Sequence, residues 1–287
     1  MTGVPSVAVV TDSTAYLPAA VVERYGLVVV PSQVVLDGRV GTEGRDVRPA
    51  DVATALGHRR AKVSTSRPPP AAFLAAYDDA AKATGATDIV SVHLSGELSG
   101  TVESARLAAA DAAPRLRVRV VDSRSTAMGL GFAVIAAAAS AADGGGLDEV
   151  ARAAVDCAAR TSCLFYVDTL EHLRRGGRLG AAAALVGSVL AVKPILHVVD
   201  GRIAPLAKVR TASKAVARLE ELAIEAAGEG PVELAVHHLA APQKAAQLAD
   251  RLRYRLAGAT EVYVSEVGAV VGAHVGPGLL GVVVVRR

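Results

Sequence analysis

Val267–Arg287 reads VGAVVGAHVGPGLLGVVVVRR, and its first nineteen residues, through Val285, carry no formal charge. A spanning helix needs about 20 apolar residues, so length alone admits a membrane anchor. Composition argues against one. Gly268, Gly272, Gly276, Gly278 and Gly281 weaken any helix, and Pro277 removes a donor and clashes with the preceding turn. Val282–Val285 is β-branched throughout and suits a strand buried on both faces. The stretch therefore predicts two short strands joined by a Gly-Pro-Gly turn, with His274 just before the turn and no membrane span.

Upstream, apolar runs of strand length alternate with Ala-rich helical stretches. Strands are expected at Val7–Thr11, Leu27–Asp37, Asp88–Leu94 and Leu116–Asp122, and helices at Pro70–Thr84, Thr101–Ala113 and Ala127–Ala142. This alternation predicts a mostly parallel sheet covered on both faces by helices. Asp143–Gly146 (DGGG) breaks the third helix, and another runs to about Arg160. A second series then begins with a strand at Cys163–Asp168, a helix over 181–192, and VVDGRI at Val198–Ile203, whose Asp-Gly pair between β-rich arms predicts a tight hairpin. Helix Thr211–Gly228, strand Val232–Leu239, a helix ending at Leu256 and strand Glu261–Val267 lead back to the terminal arm. The expected fold is α/β in two domains, residues 1–160 with the parallel sheet and residues 161–287 with a mixed one.

Among 287 residues, 52% are hydrophobic, only 3% are aromatic and none is Trp, so the core must be built from Ala, Val and Leu. A net charge of +3, thinly spread and without a basic stripe interleaved with aromatics, excludes a nucleic-acid surface. The opening MTGVPSVAVV lacks the basic start of a secretory signal. Cys157 and Cys163 lack metal or redox spacing and are expected as reduced thiols, which places the protein in a cytoplasm.

Four stretches carry polar groups suited to a ligand. VHLSGELSGTVESA (Val92–Ala105) puts a Ser/Gly loop between a strand and a helix, an arrangement that favours an anion or simply a capped helix. It lacks the Lys of a P-loop, Thr101 standing there instead. KVSTSRPPP (Lys62–Pro70) sets Ser64, Thr65 and Ser66 before a stiff proline run, either facing a ligand or as an exposed linker. Asp12, Asp122 and Asp168 each close a strand ahead of Ser or Thr, which is ordinary turn and cap chemistry rather than a metal site. LEHLRRGGRLG (Leu170–Gly180) gathers Arg174, Arg175 and Arg178 around a Gly pair, as a carboxylate- or phosphate-binding fork or a solvated helix end, with His172 expected at the surface. His237 and His238 are adjacent on a strand and face opposite ways. No nucleophile with an identifiable base emerges, and neither GxSxG nor HExxH occurs.

Taken together, VTDST, STSRPPP, LSGELSGT, VVDSRSTAMGLG, VDTLEHLRRGGRLG, KPIL, KVRTASKA and GAHVGPG resemble the DegV family in the expected order from Val9 onward. These are bacterial proteins that bind a fatty acid, several as the binding subunit of a fatty-acid kinase. The resemblance implies two α/β domains with the acyl chain in an apolar tunnel at their junction. It implies carboxylate contacts at Thr65, Ser95 and His274, with Gly96 contributing backbone only where the family often has a side chain. Arg178 is the family's GGR arginine and is assigned to the kinase partner and phosphotransfer, in an exposed setting. Arg67 and three prolines stand where a Gln-Pro or similar pair is common. No catalytic residue, metal or cofactor is implied beyond the bound fatty acid. The competing expectations are an enzyme for a small phosphorylated or acylated substrate with His274 as acid/base, and a purely regulatory interaction protein.

Overall fold

The structure is a computed structural model, and it describes residues 6–58, 61–185 and 193–287. Along the chain come β1 (Val7–Asp12), α1 (Ala19–Tyr25) and β2 (Val28–Val30), then β3 (Gln33–Leu36), β4 (Arg39–Thr42), α2 (Pro49–Gly57) and β5 (Val63–Ser66). Next are α3 (Pro70–Thr84), β6 (Asp88–His93), α4 (Thr101–Ala112), β7 (Arg117–Asp122), α5 (Met128–Ala142) and α6 (Leu147–Ala159). The last series is β8 (Thr161–Tyr166), α7 (Glu171–Arg175), β9 (Lys193–Val199), β10 (Arg202–Val209), α8 (Ala212–Ala227), β11 (Val232–His238), α9 (Pro242–Arg255), β12 (Ala259–Glu266), α10 (Ala269–Val275) and β13 (Leu280–Arg286).

Two compact units emerge: Met1–Gln33 with Ser66–Ala159, and Val34–Thr65 with Arg160–Arg287. The change near residue 160 falls where the DGGG-initiated helix ends. The expected continuous span 1–160 does not hold, because the excursion Val34–Thr65 clusters with the later half of the chain. Its apolar side chains explain this: Val34, Val47 and Val52 share one buried cluster with Ala269 and Ala273.

The first unit is built on a four-stranded parallel sheet in the order β2-β1-β6-β7. Alternation along β1 sends Val7 and Val9 to a face covered by Leu130, Ala133, Val134 and Val150 of α5 and α6. Ala8 and Val10 face the other way, onto Phe73 and Tyr77 of α3 and Ala105 and Ala108 of α4. Leu27–Asp37 is not one strand: it splits at Pro31-Ser32, and the Ser32 N–H donates to Ser13 Oγ (3.0 Å) rather than to a ladder.

In the second unit a six-stranded mixed sheet runs β10-β9-β8-β13-β11-β12. The valine run lies centrally, with β13 antiparallel to both β8 and β11 and Leu280–Val285 buried. Leu219 and Leu222 of α8 and Leu248 and Leu252 of α9 pack on Leu164, Leu234, Val282 and Val284. The Asp-Gly hairpin forms as expected, with Asp200 at φ 50° and Gly201 at φ 77°. A separate three-stranded sheet, β4-β3-β5, comes from the excursion. The helix expected over 181–192 is a 3-10 turn over Gly180–Leu185, and residues 186–192 lie outside the described residues.

One correction reaches the site. The arm before the Gly-Pro-Gly turn is a short helix, α10, not a strand. Ala269 and Ala273 dock on the Val52 cluster, and the Val270 N–H donates to Glu43 Oε1 (2.8 Å), a partner for an otherwise orphaned helix-start donor. Tertiary contacts outweigh the glycines. Among the described residues no helix is long and apolar enough to cross a membrane.

Candidate functional site

In the sequence Val63-Ser64-Thr65-Ser66, strand periodicity decides which hydroxyl turns inward. Val63 and Thr65 share the half-buried side of β5, with Val63 packed against the Val34–Val52 cluster, while Ser64 and Ser66 are exposed. The stretch is a sheet strand and not a linker. Thr65 Oγ1 lies 2.8 Å from Nε2 of His274 on α10, a hydrogen bond spanning 209 residues of sequence.

The pair opens on a cleft of about 520 Å³ lined by Thr65, His172, Arg175, Gly176, Arg178 and His274, among others. Burial, reinforced by the nearby Arg178 charge, holds the His274 imidazole down at about 4, so it is neutral at pH 7. Its Nδ1 is buried with no hydrogen-bond partner among the described residues. His172 is half-buried and lines the same cleft, against the expectation of a surface residue. Burial first, then the Arg175 charge, lowers its pKa.

Arg178 is not in the exposed setting expected of it. It is half-buried in the cleft, and its Nη1 donates to the Gly176 carbonyl, which folds the guanidinium back over the Gly-Gly turn. Arg174 and Arg175 are exposed and both pair with Glu171, whose carboxyl they hold down at about 2. The solvated helix end describes Arg174, whereas Arg175 and Arg178 line the cleft.

Ser95 and Gly96 belong to the first unit. Ser95 is fully buried; its N–H donates to the Ser125 carbonyl (2.8 Å), and its Oγ accepts from the Glu97 N–H (3.2 Å). The Gly96 N–H donates to Asp122 Oδ2 (3.1 Å), so the backbone donor expected for a carboxylate is already engaged. Arg67 lies over Gly100, where a Cβ would overlap its guanidinium. Two of the three strand-end aspartates behave as turn residues, Asp12 accepting from Thr14 N–H and Asp122 from Arg124 N–H, whereas Asp168 accepts from the Tyr166 hydroxyl and pairs with Lys193. Among the described residues no cluster of three or more His, Cys, Asp or Glu is placed to hold a metal ion.

The family model "Uncharacterised protein, DegV family" matches residues 6–287. The chain belongs to the DegV family. It is 58% identical over 281 residues to a DegV domain-containing protein of Streptomyces coelicolor, covering 98% of this chain and 99% of that one. Among solved structures, a DegV family protein from Thermus thermophilus described by its fatty acid binding superposes with a TM-score of 0.91 at 32% identity, covering 98% of this chain and 99% of that chain. DegV from Bacillus subtilis, described as a fatty acid binding protein, gives a TM-score of 0.89 at 33% identity over 99% and 100% of the two chains.

This DegV-family chain also holds a polar line that sequence reading missed. In the first unit Ser91 Oγ is 2.6 Å from His93 Nε2, and His93 Nδ1 is 3.0 Å from Asp12 Oδ2. The order is that of a hydrolytic triad, but Ser91, His93 and Asp12 have no solvent exposure at all. The Tyr77 hydroxyl lies 3.0 Å from Ser91 Oγ, and the Leu94 N–H donates to Asp12 Oδ2 (3.2 Å). Every member is paired and none can meet a substrate, so the line braces β1 against β6. Residues on separate strands, 79 to 81 positions apart, give no local signal.

Proposed function

We propose that this protein binds a long-chain fatty acid, with the carboxylate received by the Thr65 hydroxyl that His274 orients and the acyl chain in an apolar tunnel, and presents it to a partner kinase for acyl-phosphate formation. The observation that carries the reading is the cleft of the second unit. There a half-buried threonine hydroxyl is bonded to a neutral imidazole beside Arg178, in a chain whose structural neighbours include fatty-acid-binding DegV proteins. With the proton on Nε2, His274 donates to Thr65 Oγ1, only a lone pair is left at the buried Nδ1, and the Thr65 O–H is turned to donate to an anion. Arg178 supplies the field that keeps the anion ionised. Each buried CH₂ contributes about 0.8 kcal/mol, so a sixteen-carbon chain supplies roughly 10 kcal/mol before the costs of binding. Ser95 enters the proposal as a further hydroxyl contact on the strength of the family resemblance, to be tested by Ser95→Ala.

One observation favours the enzymatic alternative: Thr65 and His274 have the spacing of a nucleophile and its base. The chemistry opposes it. A general base needs a group that steadies its imidazolium, and His274 Nδ1 meets no carboxylate, while Arg178 repels a second positive charge. The discriminating experiment is mass spectrometry of organic extracts from the purified protein. A stoichiometric co-purifying fatty acid supports the proposal; a phosphorylated metabolite in its place would overturn it.

A further inference from the structure

Gly176 and Gly276 cap the C-termini of α7 and α10, and each faces the histidine of the other helix. A Cβ on Gly176 would overlap His274 Nδ1 and come 2.8 Å from its Cε1. A Cβ on Gly276 would overlap His172 Cδ2 and come 2.7 Å from its Nε2. The backbone reasons differ. Gly276, at φ +75°, sits where any side chain is strained. Gly176, at φ −75° and ψ −8°, has a conformation open to every residue, so only space demands a glycine there.

We infer that Gly176 and His172 are positioning residues for the carboxylate contact: the two helix ends interlock, histidine against glycine in both directions, and this sets the His274 ring with Nε2 on Thr65. The inference rests on the carboxylate reading of the cleft. Among the described residues no polar partner but Thr65 fixes the ring, because Nδ1 meets none. Packing on Gly176 does so instead. A methyl group at 176 forces Cε1 from 2.8 Å out to ordinary contact at 3.4 Å and drives the overlapped Nδ1 further still, so the ring must turn or retreat from Thr65 and the 2.8 Å hydrogen bond is lost. The Gly176 carbonyl also accepts from Arg178, so the arginine is held on the same turn that packs against the His274 ring.

The test measures affinity for hexadecanoic acid and hexadecan-1-ol, and the His274 imidazole titration by NMR, in the wild type, Gly176→Ala, His274→Ala and the double variant. Gly146→Ala is the control, since its added Cβ meets nothing within 4 Å. Gly176→Ala is expected to lose at least about tenfold more affinity for the acid than for the alcohol, the scale of one hydrogen bond to a charged group. It should move the His274 midpoint from about 4 towards 6.5 and add nothing further in the His274→Ala background. The charged and titratable groups beside the ring in the cleft are Arg175, Arg178 and His172, so the His172 resonance is followed in the same spectra. His172→Ala should reproduce the loss, and His172→Phe, which keeps a ring against Gly276, should restore binding. An unmoved His274 midpoint in Gly176→Ala, or equal losses for acid and alcohol, overturns the inference. If His274→Ala itself leaves the acid-to-alcohol ratio unchanged, the carboxylate reading fails instead, and the NMR midpoint still judges the interlock.

Discussion

Replacing Thr65 by Val keeps the β-branched shape on β5 and removes one oxygen. That oxygen has two partners in the proposed complex: His274 Nε2 at 2.8 Å and the ligand carboxylate. A hydrogen bond to a charged group is worth about 1.5–3 kcal/mol, so acid affinity should fall roughly 10- to 150-fold. A neutral hydroxyl ligand loses only about 0.5–1.5 kcal/mol, roughly 2- to 12-fold. The ligand-free protein should also suffer, since the Thr65→Val change leaves both ring nitrogens of a largely buried histidine unpaired, at a cost of about 1–3 kcal/mol. Isothermal titration with the acid and its alcohol, together with urea denaturation of the ligand-free protein, separates the two effects. Equal losses for acid and alcohol would show that Thr65 shapes the pocket without reading the head group. Unchanged ligand-free stability would show that the Thr65–His274 bond contributes nothing.

Stability should fall as pH drops from about 6.5 to about 4. Burial holds His237 and His274 at about 4, so the unfolded chain binds protons across that window before the folded one does. Each contributes at most about 3 kcal/mol, fully present above the unfolded value near 6.5 and lost as pH falls through about 4; a flat denaturation midpoint between pH 7 and 4.5 would contradict this. Arg178→Ala should weaken fatty-acid binding as well as kinase-dependent phosphorylation and raise the His274 titration midpoint, because the guanidinium lies in the cleft beside the ring. Binding equal to wild type in calorimetry would return Arg178 to a partner-only role. Incubated with ATP, Mg²⁺ and fatty acid, the protein alone should form no acyl-phosphate detectable as hydroxamate, and product without an added kinase would refute the non-catalytic reading.

Periodicity and turn chemistry carried much of the architecture. The alternation of Val7–Thr11, Asp88–Leu94 and Leu116–Asp122 with Ala-rich helices dictates a covered parallel sheet, and the Asp200-Gly201 pair dictates its hairpin, because these preferences lie within a few residues of one another. The valine run Val282–Val285 was legible as doubly buried for the same reason. Thr65, His274 and Arg178 were named from motif resemblance, and the tertiary structure brings all three into one cleft. What local sequence did not hold was pairing over long distance. The excursion Val34–Thr65 joins the second unit because Val52 meets Ala269 and Ala273, more than 200 residues away, and that same contact turns a glycine-rich arm into the helix α10. Arg178 looked exposed because flexible glycines flank it, but its setting depends on a carbonyl two residues back and on an imidazole 96 residues ahead. Composition and spacing decide which elements form, because hydrogen bonds and side-chain periodicity are local. Which hydroxyl meets which histidine is decided only by packing, since the free energy that holds them together belongs to the assembled core.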